Sequence, residues 1–278
     1  MTRGPRVLAI GAAASLALGT AMFGLVGWMH DGMVFHPTPG KFLTLESLGL
    51  DGEEVWLQSE DGVRLHAFFV RAADSRDRTI LFLHGNAGNA SHRLPNAALL
   101  AEQGADVLLL DYRGYGLSEG RPSETGLYAD ARAALAWLLV ERGLAEERVV
   151  LFGRSLGGAV AVDLAQDRAL AGVILESTFA SGSGVANEIF PLPLGWLVRT
   201  RWNSAAKIAR ARAPLLFIHG AQDRIIPIEL GRALYEEAPE PKQFETLERA
   251  GHNDTVERGG RAYFARIAGF LDEVAPAP

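Results

Sequence analysis

No cysteine occurs anywhere in the 278-residue chain. This excludes a thiol nucleophile, a thiolate metal site, a disulfide and a lipid-modified cysteine, although it does not assign a compartment. Excess positive charge is missing too: 27 Lys and Arg face 33 Asp and Glu, for a formal net charge of -6. A nucleic acid therefore meets no basic field, and that partner class is set aside. Internal repeats are absent, and the length suits one large α/β domain with a sizeable core.

A third absence is local. Val7 to Trp28 carries no charged side chain, and about 22 residues span roughly 33 Å as a helix, the thickness of a bilayer core. Arg3 and Arg6 precede the run, whereas the first cation after it is Lys41. This bias predicts a signal anchor with its N-terminus cytoplasmic and the rest on the non-cytoplasmic side. A cleaved signal peptide, cut after Gly19-Thr20-Ala21, is the alternative. The expected organisation is an anchor over residues 1–30, a linker over 31–46 and a catalytic domain over 47–278.

Apolar runs of strand length then alternate with helical patterns. Strands are expected at Glu54 to Leu57 and Arg64 to Val70, joined by Glu60-Asp61-Gly62 as an antiparallel hairpin. Others follow at Ile80 to Leu83, Asp106 to Leu110, Val149 to Phe152, Val173 to Leu175, Leu215 to Ile218 and Gln243 to Leu247. Helices are expected at Ser91 to Gln103, Ser123 to Arg142, Leu156 to Gln166, Ile228 to Glu237 and Thr255 to Val274. Continuously apolar strands separated by helices imply a mostly parallel sheet covered on both faces, with ligands beyond the carboxyl ends of the strands.

Chemistry-bearing residues gather at those ends. Gly153-Arg154-Ser155-Leu156-Gly157 follows an apolar strand and opens a helix, the context of a nucleophile elbow that thrusts one serine hydroxyl into a cleft. A serine hydroxyl needs a base, and that base needs an orienting acid. Of 7 histidines, His252 lies in the loop between the last strand and the last helix, where a general base follows acid and nucleophile in chain order. His219 reads as structural. Asp223 follows Leu215 to Ile218 and is the favoured acid, with Glu176 at another strand end as a competitor; Asp254 reads as a helix N-cap.

A tetrahedral intermediate needs two aimed backbone donors. The amide of Leu156 supplies one, and Asn86 in the glycine-rich loop His84 to Asn89 is assigned the other. A phosphate cradle is the rival use of that loop, but no Lys-Ser/Thr pair follows it. Tyr115, in the turn Asp111 to Gly116, is a candidate for lining the cleft.

Together HGNAGN at His84 to Asn89, DYRGYGLSEG at Asp111 to Gly120, the elbow GRSLGG, ESTF at Glu176 to Phe179 and GHND at Gly251 to Asp254 carry a resemblance. From about Val34 onward the chain resembles the α/β-hydrolase superfamily, in particular membrane-tethered α/β-hydrolase-domain proteins related to serine aminopeptidase-like hydrolases. The resemblance implies Ser155 as nucleophile, Asp223 as acid, His252 as base and the Asn86 and Leu156 amides as oxyanion hole, with no metal and no organic cofactor. It does not fix the substrate, because the superfamily includes esterases, thioesterases, lipases and peptidases.

Such hydrolases carry a lid between the strands that here end near Leu175 and begin at Leu215. About 179–213 is available for it, and its apolar stretch, including Phe190 and Trp196, either walls an acyl site or packs on the core. The expected function is a membrane-anchored serine hydrolase cleaving a carboxylic ester or thioester, with a small-molecule or lipid-like acyl substrate. An aminopeptidase with the same triad and a non-catalytic membrane-tethered platform are the alternatives; oligomeric state is left open.

Overall fold

The computed structural model describes residues 34–189 and 200–277, with the side chain of residue 189 left aside. The anchor expected before residue 30, and Phe190 and Trp196, lie outside the described residues. Among the described residues no helix is long and apolar enough to cross a membrane. The chain divides into two compact units, Met1–His36 and Pro37–Pro278.

The second unit is built on an 8-stranded sheet. In chain order the strands are β1 (Gly52–Gln58), β2 (Arg64–Val70), β3 (Thr79–Leu83), β4 (Asp106–Leu110), β5 (Val149–Arg154), β6 (Gly172–Glu176), β7 (Leu215–Gly220) and β8 (Lys242–Leu247). Across the sheet they run β8-β7-β6-β5-β3-β4-β2-β1. β1 and β2 form the expected antiparallel hairpin, β2 joins β4 antiparallel, and all remaining neighbours are parallel.

Parallel strands need crossovers, which α1 (Leu94–Ala101), α2 (Glu124–Val140), α3 (Leu156–Ala165), α4 (Gly182–Ile189), α5 (Ser204–Ile208) and α6 (Ile228–Glu237) supply, while α7 (Thr255–Val274) follows the last strand. Period-two alternation sends Ile80, Phe82, Val107, Leu109, Val150, Phe152, Ile174, Leu216 and Ile218 into one core layer with Leu94 and Leu100 of α1 and with Ile267, Phe270 and Leu271 of α7. The intervening Leu81, Leu83, Leu108, Leu110, Leu151 and Val173 are equally buried. Coverage on both faces explains why these strands read as unbroken apolar runs.

Among the described residues, two helices fall inside the interval expected to form a lid. α4 carries Gly182 and Gly184, poor helix formers that leave little pattern in the sequence. The amides of Arg201 and Trp202 donate to the Glu124 carboxylate at 2.8 and 3.0 Å. The Trp202 ring then packs edge-on against Tyr128, so the returning chain is fastened to the first turn of α2.

Candidate active site

β5 sits in the middle of the sheet, and the chain leaves it through Ser155 with φ 54° and ψ -117°. That left-handed backbone is strained for a side-chain-bearing residue, at a cost on the order of 1–3 kcal/mol. Its surroundings hold it there. The Ser155 amide donates to the Glu176 carbonyl at 2.8 Å, and Thr178 Oγ1 donates to the Ser155 carbonyl at 2.9 Å. The elbow glycines are demanded by space: a Cβ on Gly157 would lie 1.9 Å from the Leu83 carbonyl oxygen, and one on Gly153 would lie 2.5 Å from that of Gly157.

His252, in the loop between β8 and α7, reaches over this elbow. Its Nε2 lies 3.0 Å from Ser155 Oγ and its Nδ1 lies 2.7 Å from Asp223 Oδ2. Three residues spread over 155, 223 and 252 thus form one hydrogen-bonded line. Asp223 Oδ1 accepts the amides of Ile225 and Ile226 at 2.9 and 2.8 Å, which aims Oδ2 at the imidazole. Burial opposes charge on this carboxylate, but hydrogen bonds from His219 and His252 and from the Ile226 amide outweigh it and hold the acid far below the usual carboxylate range. His219 braces the same loop: it is buried, with Nε2 2.9 Å from the Ile226 carbonyl oxygen.

The competing acid is committed elsewhere. Glu176 accepts Thr255 Oγ1 at 2.7 Å and the Tyr263 hydroxyl, and pairs with Arg154 Nε at 3.0 Å. Asp254 occupies the N-cap position of α7, as its sequence context suggests, but its Oδ1 accepts the Gly251 amide at 2.6 Å. That bond tightens the turn that presents His252.

Opposite the elbow runs the loop from His84 to Asn89. Leu156 is the first residue of α3, so its amide belongs to the turn whose N–H groups lack intrahelical acceptors. The facing loop is pinned at almost every residue. The Tyr112 hydroxyl donates to the His84 carbonyl at 3.1 Å, His84 Nδ1 donates to the Gly85 carbonyl at 2.7 Å, and the Tyr115 hydroxyl donates to Asn86 Oδ1 at 3.0 Å. Asn89 Nδ2 donates to the carbonyls of Thr38 and Gly40, and the Ala90 amide donates to Asp111 Oδ1. Tyr115, expected along the cleft, is fully buried with its ring against those of His84 and Tyr112. It supports Asn86 from beneath.

Two supporting groups have partners that the sequence does not reveal. Arg154 extends from the elbow to the carbonyl of His252 at 2.8 Å. His66, on β2, lies with Nδ1 3.3 Å from Asp111 Oδ2 and Nε2 3.1 Å from Glu54 Oε2. Arg154 lies within the elbow motif and His66 in none, but the partners of both depend on which distant segments become neighbours. Among the described residues no group of three or more His, Cys, Asp or Glu side chains could hold a metal ion.

Comparison with known proteins agrees with this architecture. Residues 78–201 match the profile described as alpha/beta hydrolase fold. An uncharacterized protein of Mycobacterium tuberculosis is 38% identical over 264 residues, covering 94% of this chain and 93% of its own length. The alpha/beta hydrolase domain-containing protein WAV2 of Arabidopsis thaliana is 37% identical over 255 residues, covering 84% of this chain and 83% of its own. Among solved structures, the esterase Pf2001 of Pyrococcus furiosus superposes with a TM-score of 0.72 at 22% identity, covering 86% of this chain and 99% of its own.

Proposed function

The chain belongs to the α/β-hydrolase family, and from that membership we propose that it is a serine esterase that cleaves carboxylic esters or thioesters through an acyl-enzyme on Ser155. The observation that carries this reading is the hydrogen-bonded line from Ser155 Oγ through His252 to Asp223. Attack by Ser155 Oγ on the acyl carbon passes its proton to His252 Nε2, while Asp223 stabilises the imidazolium through Nδ1. The amides of Leu156 and Asn86 receive the oxyanion. His252 then protonates the leaving group, and water attacks the acyl-enzyme by the same relay in reverse. The relay needs neither a metal nor an organic cofactor. The esterase Pf2001 shares the fold, which accords with ester chemistry.

We also propose that residues 1–30 tether the domain to a membrane, with the catalytic domain on the non-cytoplasmic side. The uncharged run from Val7 to Trp28 and the arginines before it support this. Carbonate washing tests it: release of the protein, or a mature chain beginning near Met22, overturns the anchor.

For the chemistry, the wild type and Ser155→Ala are incubated with a fluorophosphonate probe and the label is located by peptide mass spectrometry. The same samples are then assayed on acyl esters of increasing chain length. Labelling at Ser155, with turnover lost in the variant, is the expected result. A folded wild type that neither labels nor hydrolyses any ester overturns the reading.

A further inference from the structure

Arg154 stands immediately before the nucleophile and is buried, although an elbow needs no charge at that position. Its strand position is paired with Glu176 on β6, and in a parallel ladder such partners present their side chains on the same face. Nε meets Glu176 Oε1 at 3.0 Å, and the other end of the guanidinium, Nη2, donates to the His252 carbonyl at 2.8 Å. Glu176 in turn takes hydrogen bonds from Thr255 and Tyr263, both on α7. The helix that begins just after His252 is therefore tied to the same carboxylate as the residue just before Ser155.

From this geometry we infer that Arg154 is a positioning residue, a rigid strut that sets the height of the His252 imidazole above Ser155 Oγ. The inference rests on the proposed serine-hydrolase reading. Asp223 fixes the rotation of the imidazole through its ring nitrogen; the peptide that carries the ring is held at its carbonyl by Arg154. A guanidinium suits the task because its planar fork bonds two partners at once in fixed directions, whereas an ammonium on a flexible stem does not. Glu176 makes the strut tolerable by neutralising a cation that burial otherwise disfavours. Arg93, arriving from the segment after the oxyanion loop, lies within electrostatic reach of both and adds positive charge, so the single carboxylate is in demand from two guanidinium groups. A displacement of the base by about 1 Å is enough to cost on the order of 100-fold in rate.

Arg154→Lys, Arg154→Ala and the wild type are compared by circular dichroism, by kcat and KM on one short acyl ester, and by the low-field proton resonance of the His252 Nδ1–H bond to Asp223. In both variants kcat falls by roughly 10- to 100-fold while KM stays within about twofold, and the low-field resonance shifts or broadens. Guanidinium chloride at non-denaturing concentration restores part of the kcat of Arg154→Ala and none of that of Ser155→Ala. If the Ala variant does not fold, the Lys variant decides. A folded Lys variant with unchanged kcat and unchanged resonance overturns the inference while leaving the hydrolase reading intact. A wild type without turnover or Ser155 labelling overturns the hydrolase reading itself.

Discussion

His252 Nδ1 and Asp223 Oδ2 are 2.7 Å apart, a short charge-assisted hydrogen bond between two loops separated in sequence by the whole of α6 and β8. The two oxygens of Asp223 have different duties: Oδ2 faces the imidazole, while Oδ1 holds the amides of Ile225 and Ile226.

That division separates two substitutions. Asp223→Asn keeps an acceptor for the amides, so the loop stays folded, but the carboxylate no longer selects the imidazole tautomer. On the proposed serine-hydrolase reading, kcat on an acyl ester falls by about 1,000- to 10,000-fold with little change in melting temperature. Asp223→Ala frees two amides as well and loses stability by roughly 1–3 kcal/mol. Steady-state kinetics beside thermal melts checks both; an Asn variant of near wild-type kcat would remove Asp223 from the relay.

Tyr115→Phe removes the hydroxyl that meets Asn86 Oδ1 at 3.0 Å and leaves its ring in place. Because the contact acts on the loop rather than on substrate, the expected effect is a decrease in kcat of about 2- to 10-fold with KM unchanged. A selective rise in KM would put the hydroxyl in the cleft instead.

His84 makes stability depend on pH. Burial pushes its imidazole down to about 4 from 6.5, against the opposing pull of the Asp111 carboxylate. The unfolded chain therefore takes up a proton near pH 6.5 that the folded chain refuses until about pH 4. The contribution is complete above the upper value and is lost as pH falls toward the lower one, at about 1.4 kcal/mol per pH unit and roughly 3 kcal/mol in all. Urea denaturation at several pH values, with wild type and His84→Asn in parallel, measures the difference. Parallel slopes for the two proteins would contradict it.

Glu124→Ala takes away the carboxylate that receives the amides of Arg201 and Trp202. Hydrogen exchange at those two amides accelerates by about 10-fold or more, and the melting temperature moves only slightly because the sheet is untouched. Exchange at the wild-type rate would show that the Trp202 ring against Tyr128 suffices to hold the segment.

Much of the fold is legible in the sequence because burial on both faces writes strands as apolar runs. Arg64 to Val70 and Asp106 to Leu110 are observed with the expected bounds, and most others grow by a residue or two at their ends. The helices Ile228–Glu237 and Thr255–Val274 also stand where their patterns put them, though Gly260 kinks the second. What stays hidden depends on strand order. Arg154 and Glu176 are neighbours only because β5 and β6 pair in one register. In sequence alone, Glu176 at a strand end therefore stands as a competitor to the favoured Asp223. Tyr115 misleads for a related reason: a turn at a strand end is exposed in general, but here the loop from His84 to Asn89 lies on top of it.

β8 is the outermost strand on its side of the sheet and is only half buried along its length, whereas the strand leading to Ser155 lies between two fully buried neighbours. Local opening is easier at such an edge than at the centre, so on warming the loop that follows β8 is expected to loosen before the strand that carries Ser155. On the proposed serine-hydrolase reading, the expected outcome is that activity falls at a lower temperature than the global melt and returns on cooling, which paired activity and melting scans check. Of the three residues in the hydrogen-bonded line, Ser155 then stands on the element that opens last.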